Sequence, residues 1–322
     1  MKLGIVVVYL VTERNERLLD LHLSQIESNT EVPYKIYGSA ARLHPGFRQK
    51  LQENPNVKIC DCKQYIDEHK LRRYEHSFYL EQLIKFAIDD GASHVAILHV
   101  DSFPVRRGWA RELAGKLSET CVVAGIMRDK KVDQKPMTAC MLFGRDFYLD
   151  YQPRLLLDEQ ELLSEEYKEY KQKYPHTGDS GVGYGFKVFS NGLSWYPLYR
   201  SNKGGVKDSF GSIYGDLIFH LQSAVQIENS PSIIFRGSLD PRSRLRRLVG
   251  RLTRKVLPRT IRKRLRSKIP EKALTSLADM EKNAFEQARK WLFKDPQSYL
   301  DYLRTGRKQT ENVLSEKVSE AK

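Results

Sequence analysis

Short continuous apolar runs alternate along the chain with longer stretches whose apolar positions recur at helical spacing. Residues 3–11, LGIVVVYLV, form one run, which suits a parallel strand buried on both faces. Thr12 to Glu16 opens a helix whose apolar face is Leu18, Leu19, Leu21, Leu23 and Ile26, and Ser28, Asn29 and Thr30 stop it. Tyr34 to Tyr37 predicts a second strand. Val57 to Cys60 predicts a third, after the turn Asn54-Pro55-Asn56. Residues 75–89 predict a helix that turns Phe78, Leu80, Leu83, Ile84, Ala87 and Ile88 inward and ends at Asp90-Gly91. This strand–helix–strand order is the beginning of an α/β sheet.

The next stretch, SHVAILHVDSFP at 93–104, organises the chain. Val95 to Val100 is apolar apart from His99, and it predicts a central buried strand ending in a polar cluster and a proline. Two residues apart on a strand, His99 and Asp101 would point the same way. Ligands of open α/β sheets bind at the carboxyl ends of buried strands. A histidine and a carboxylate converging there can hold a divalent cation, and the cation a phosphate. The plainer alternative is one packed histidine and one solvated aspartate.

Further along, Gly108-Trp109 starts a helix through Leu113 and Leu117, and Cys121 to Ile126 and Ala139 to Phe143 predict two more strands. Residues 155–174 predict a single charged surface helix. The glycine-rich HTGDSGVGYG, 176–185, lacks the closing Lys-Ser/Thr of a phosphate loop and any apolar strand before it. It reads as a loop, or as a helix start capped by Asp179 or Ser180. Residues 195–198 are a short apolar piece, 202–210 a loop, and His220 sits in IYGDLIFHLQSAV.

Charge changes the picture. Of the net +14, 13 cations fall between Pro241 and Pro270 with no acid among them, which leaves a near-neutral remainder. Leu245, Leu248, Val249, Leu252 and Val256 make an apolar stripe among these arginines, and Ile261, Leu265 and Ile269 resume it after Pro258. A basic amphipathic helix between Arg242 and Lys268 suits an anionic membrane surface. Packing of the stripe on its own domain is the competing reading. With no aromatic residue in the segment, base stacking has no support, so nucleic acid is a lesser alternative that rests on phosphate contacts alone. Residues 271–293 predict another helix, and the polar stretch from 306 predicts disorder. No run approaches the length of a membrane span, and the opening run is too short for a signal peptide. Cys60, Cys62, Cys121 and Cys140 lack zinc-site spacing and are expected as reduced thiols in a cytoplasmic protein.

In this order, the parts resemble the GT-A fold of nucleotide-sugar glycosyltransferases, the family-2-like group above all. The resemblance covers about residues 1–235. In that group the central strand ends in Asp-x-Asp, often followed by a proline and a helix bearing tryptophan. The same place here reads His99-Val100-Asp101-Ser102-Phe103-Pro104 with Gly108-Trp109 after it. Asp101 matches the second acid, the usual metal ligand, and His99 departs from the first. The resemblance implies a Rossmann-like mixed sheet flanked by helices, followed here by a basic helical region (236–305) and a polar tail (306–322). It implies a manganese or magnesium ion held by Asp101 and His220, with His76, His99 and Asp101 on the sugar-nucleotide donor. Asp179, in a loop similar to the family's Asp-Thr-Gly type, would be the catalytic base if the reaction inverts the anomeric centre. The implied reaction moves a sugar from a nucleoside-diphosphate sugar to a hydroxyl acceptor, and the basic segment adds the expectation that the acceptor is a membrane-proximal or lipid-linked glycan on the inner face of the membrane. His220 as a packed histidine, His76 as a helix-start residue and Asp179 as a helix cap are the structural alternatives. His99 in place of an acid also suits a non-catalytic sugar-nucleotide-binding relative.

Overall fold

The computed structural model describes residues 1–9, 16–39, 43, 45–66, 73–128, 130, 133–176, 178–203, 211–221 and 287–306. The chain divides into two units, one of Met1–Ser201 with Ile213–His220, the other of Asn202–Ser212 with Leu221–Lys322. The basic segment, the loop at 204–210 and the polar tail lie outside the described residues.

The first unit is built on a seven-stranded mixed sheet. In chain order its strands are β1 (Leu3–Val8), β2 (Tyr34–Ser39), β3 (Val57–Ile59), β4 (His94–Leu98), β6 (Cys121–Ile126), β7 (Met137–Gly144) and β8 (Ser194–Leu198). They lie side by side as β3-β2-β1-β4-β7-β6-β8. β7 runs against both its neighbours, while the other pairings are parallel. A three-stranded sheet of β5 (Ser102–Pro104), β9 (Ser212–Tyr214) and β10 (Ile218–His220) is ordered β5-β10-β9. Strand order reverses between β1 and β4, and the crevice at such a switch point is where open α/β sheets bind ligands.

Burial follows the apolar runs. Every residue of β1 is buried, and Leu80, Leu83, Ile84 and Ala87 of helix α3 (Arg73–Asp89) join Val6, Val95 and Ile97 in one core. The helix lies so close to β1 that a Cβ on Gly4 would come within 2.8 Å of the Ala87 methyl. Helix α1 (Glu16–Asn29) packs along β5, and at the strand's end Asn29 Nδ2 donates to the Pro104 carbonyl at 3.1 Å. Just beyond it, Thr30 Oγ1 accepts from the Trp109 indole of α4 (Trp109–Ala114) at 3.0 Å.

Several elements differ from the sequence pattern. The first strand ends at Val8, and residues 10–15 lie outside the described part. Helix α2 (Pro45–Glu53) was not expected, because only Phe47 and Leu51 of its nine residues are buried apolar positions. A short helix α5 (Arg145–Tyr151) follows β7 directly. The charged stretch expected as one helix is two, α6 (Glu159–Leu163) and α7 (Glu165–Lys173). Ser164, extended at ψ 147, ends the first, and its side chain accepts from the Tyr167 amide to cap the second. Nor is α7 wholly a surface element: Tyr167 and Tyr170 are buried against Val182 and Phe186 of helix α8 (Val182–Ser190). The N-cap of α8 is Gly181, with no side-chain cap, so neither Asp179 nor Ser180 plays that part.

All four cysteines are free thiols, as expected from their spacing. Burial pushes the Cys60 thiol up to about 12. Among the described residues, no helix is long and apolar enough to cross a membrane.

Candidate metal and phosphate site

Strand β4 ends at Leu98, one residue before the histidine. His99 leaves the strand, Val100 and Asp101 form a turn, and β5 begins at Ser102. The shared direction of His99 and Asp101 therefore comes from a turn and not from strand alternation, which corrects the geometry expected from the sequence. Backbone and side chains both hold this turn. The Ser102 amide donates to the His99 carbonyl at 3.0 Å, and the Ser102 hydroxyl donates to the Ala139 carbonyl. The Ser102 carbonyl accepts from Nδ1 of His22, a buried residue of α1, at 3.0 Å.

The partner of β5 supplies the third side chain. β10 pairs antiparallel with β5 in the register Ile218↔Pro104, Phe219↔Phe103, His220↔Ser102. The Phe103 and Phe219 rings stack with centroids 4.9 Å apart, which fixes that register from the buried side. His220 is thereby carried to Asp101, with Nε2 at 3.6 Å from Oδ1, and His99 Nδ1 lies 3.9 Å from the same oxygen. Neither is hydrogen-bond distance. One ligand atom from each of His99, Asp101 and His220 lies within 4.8 Å of the other two. Among the described residues this is the one group of three or more histidine, cysteine or acidic side chains so arranged.

Both imidazoles are neutral at physiological pH. Burial, helped by His76, pushes His99 down to about 3, with Asp101 opposing. Burial, and secondarily the Arg128 guanidinium, pushes His220 down to about 3. A neutral imidazole is the form that ligates a metal. The residues fit a divalent cation: two nitrogen donors and a carboxylate oxygen converge at a strand terminus. Nothing in the plain fold requires two such histidines around one buried acid.

The other expected residues lie around this cluster. His76, in the first turn of α3, meets His99 edge-on, ring centroids 5.0 Å apart. Burial holds it down to about 4, although Asp179 and then Asp101 pull the other way. Asp179 is exposed, and its Oδ1 accepts from the Ser180 amide at 2.8 Å. Its loop is tied to the start of α3 by a buried contact of 3.0 Å between the Ser77 and Ser180 hydroxyls. All five side chains named from the sequence thus belong to one neighbourhood, with Asp179 at its outer side.

Two further residues take part that the sequence did not single out. Thr138, buried near the start of β7, has its hydroxyl 3.0 Å from His99 Nε2. Lys135 is 1% exposed, donates to the Ser180 carbonyl at 3.1 Å and lies 3.9 Å from Asp133. Burial lowers its pKa against the pull of Asp133 and Asp179. In sequence, Lys135 is one of three lysines in DKKVDQKP, which reads as a solvated loop, and Thr138 reads as an ordinary strand residue. A proline after the lysine and an apolar run after the threonine are the only signals.

No protein-family model matches the chain, and comparison with curated proteins finds no match. Solved structures do align with it. A mannosyltransferase from Pyrobaculum calidifontis, in complex with GDP-Man and Mn2+, aligns at 10% identity over 46% of each chain with a TM-score of 0.33. TarS 1-349 of S. aureus, in complex with UDP-GlcNAc, aligns at 10% identity over 48% of each chain with a TM-score of 0.33. The chain thus spans about half the length of these two. Mouse xyloside xylosyltransferase 1 aligns at 11% identity over 61% of this chain and 85% of its own, with a TM-score of 0.36.

Proposed function

We propose that the chain is a metal-dependent glycosyltransferase that moves a sugar from a nucleoside-diphosphate sugar to a hydroxyl acceptor. The observation that carries this is the convergence of His99, Asp101 and His220 at the carboxyl end of β4, beside the switch point between β1 and β4. His99, Asp101 and His220 would hold the cation. Two imidazoles in the set favour a transition ion such as manganese over magnesium, which prefers an all-oxygen shell. Bound there, the metal supplies positive charge opposite the diphosphate leaving group.

The chain's own residues do the rest. Arg128 is exposed and acts electrostatically on His220, so it can pair with a donor phosphate at the rim. His76, neutral, offers the donor a hydrogen bond and no charge. Asp179 is exposed on its loop and, among the described residues, makes no ion pair within 4 Å, which suits a base that takes the proton from an acceptor hydroxyl in an inverting transfer. The acceptor reading is a membrane-proximal or lipid-linked glycan, because the 13 cations and apolar stripe between Arg242 and Lys268 suit an anionic surface on the cytoplasmic side.

The test is thermal unfolding of wild type and Asp101→Ala with a panel of nucleoside diphosphates, with and without manganese. The expected result is a metal-dependent rise in Tm for one base, lost in the variant; a ligand at 100 times its Kd adds about 3 kcal/mol. No rise with any nucleotide overturns the proposal. A rise without sugar transfer or donor hydrolysis assigns the site to a non-catalytic nucleotide-binding protein.

A further inference from the structure

His99 can ligate a cation through Nδ1 only if the proton of its neutral ring sits on Nε2. Nδ1 is the nitrogen that faces Asp101 and the cluster, while Nε2 points to the Thr138 hydroxyl at 3.0 Å. Thr138 is 4% exposed and His99 about a quarter exposed, so this bond lies on the inner side of the ring, away from competing water. We infer that Thr138 is a positioning residue: it accepts from His99 Nε2–H, locks the ring in that tautomer and rotation, and leaves the Nδ1 lone pair turned toward Asp101. The inference rests on the metal-dependent reading of the site.

The ring's two nitrogens decide the direction of this bond. A hydroxyl can donate or accept, so the choice falls to the other ring nitrogen. With the proton on Nδ1, the nearest acceptor in the cluster, Asp101 Oδ1, is 3.9 Å away, too far to accept it. With the proton on Nε2, both nitrogens are satisfied: Nε2–H donates to Thr138 at 3.0 Å, and the Nδ1 lone pair needs no acceptor. The His76 ring, edge-on at 5.0 Å, and the His220 ring, edge-on at 5.8 Å, then brace the two sides of His99 against rotation. Thr138 itself is placed by β7, whose next residues pair with β4 in the register Met141↔Ile97 and Cys140↔Leu98. The strand that lies beside the site's own strand therefore sets the orientation of the residue that replaces the expected first acid.

The experiment uses the full chain as wild type, Thr138→Val and Thr138→Ser. Manganese affinity is read from the electron paramagnetic resonance of free Mn2+. The His99 tautomer is read from long-range proton–nitrogen correlation in metal-free, histidine-labelled protein, with the signals assigned through His99→Gln. The expected result is an Nε2–H tautomer in wild type and Thr138→Ser. Thr138→Val, close in shape but unable to accept, should lose that signature and bind manganese 10–100-fold more weakly. Serine should restore affinity to within a few-fold, which a merely structural methyl-packing role would not do. Equal manganese affinity in all three chains, or an unchanged tautomer in Thr138→Val, overturns the role of Thr138 while leaving the metal site standing. No manganese binding in wild type overturns the metal site, and the positioning role falls with it.

Discussion

His22 couples acid stability to the candidate site. It is 0% exposed, its Nδ1 proton is committed to the Ser102 carbonyl at 3.0 Å, and its Nε2 has no hydrogen-bond partner among the described residues. Burial, only partly offset by that backbone bond, pushes its pKa from 6.5 down to about 4. A depressed histidine pKa means that the unfolded chain binds the proton first. Stability is therefore complete above about pH 6.5, is lost as pH falls, and stops falling below about pH 4, where the native state protonates too. The full shift corresponds to about 3 kcal/mol, of which about 2 kcal/mol is gone by pH 5. His22→Asn isolates this contribution, because an amide nitrogen can donate to the Ser102 carbonyl without titrating. Urea unfolding of both chains at pH 7.5 and pH 5 is the assay. Wild type should lose about 2 kcal/mol more than His22→Asn between the two, whatever other buried histidines add to both. An equal loss would show that His22 is hydrated or charged in the native state, and the description of this wall of the site would fail.

Two other perturbations follow from the same structure. Gly181 has φ +92, and a Cβ there would sit 2.3 Å from the Pro136 carbonyl oxygen. Gly181→Ala should therefore cost about 2–5 kcal/mol in urea unfolding from left-handed strain and overpacking together, and a variant as stable as wild type would refute the close approach of the two loops. Deleting residues 241–270 should abolish sedimentation with phosphatidylserine vesicles at 0.1 M salt and leave the nucleotide-dependent Tm rise intact. Retained sedimentation would refute the membrane role, and salt-sensitive duplex DNA binding lost on the same deletion would assign the segment to nucleic acid.

The apolar runs made much of the sheet legible. β1, β4, β6 and β7 are continuous apolar stretches because each is buried on both faces, and α3 showed its inward face in the spacing of Leu80, Leu83, Ile84 and Ala87. Elements with little apolar surface were not legible. α2 buries two side chains, and the break at Ser164 depends on a local capping choice that the mixed-sign charge pattern does not reveal. At the site, Asp101 was legible as an acid at the end of a buried strand. Its alignment with His99 was expected from strand alternation, but the turn at Val100 and Asp101 supplies it. His220 could be placed only by the order of parts, since the register that carries it to Asp101 is a pairing across more than a hundred residues. Lys135 and Thr138 carried no signal beyond their neighbours in sequence, because a buried lysine and a solvated one are the same letter.

The arrangement is also one that folding alone would not favour. His76, His99 and His220 are all held far below the ordinary histidine range, chiefly by burial, so each loses part of its hydration without gaining an ion pair. Two of them face Asp101 at 3.6 and 3.9 Å, too far to hydrogen-bond to it. An apolar side chain at either position would remove that desolvation cost and pack as well. Perturbed titratable groups gathered in a crevice mark function more often than stability. Here they gather at the switch point of the sheet, the donors are two neutral imidazoles and a carboxylate, and a lysine and an arginine lie beside them. A cation shared by the three donors would offset the unfavourable placement and present a positive face to phosphate, which is why the metal and the diphosphate are read as parts of one site.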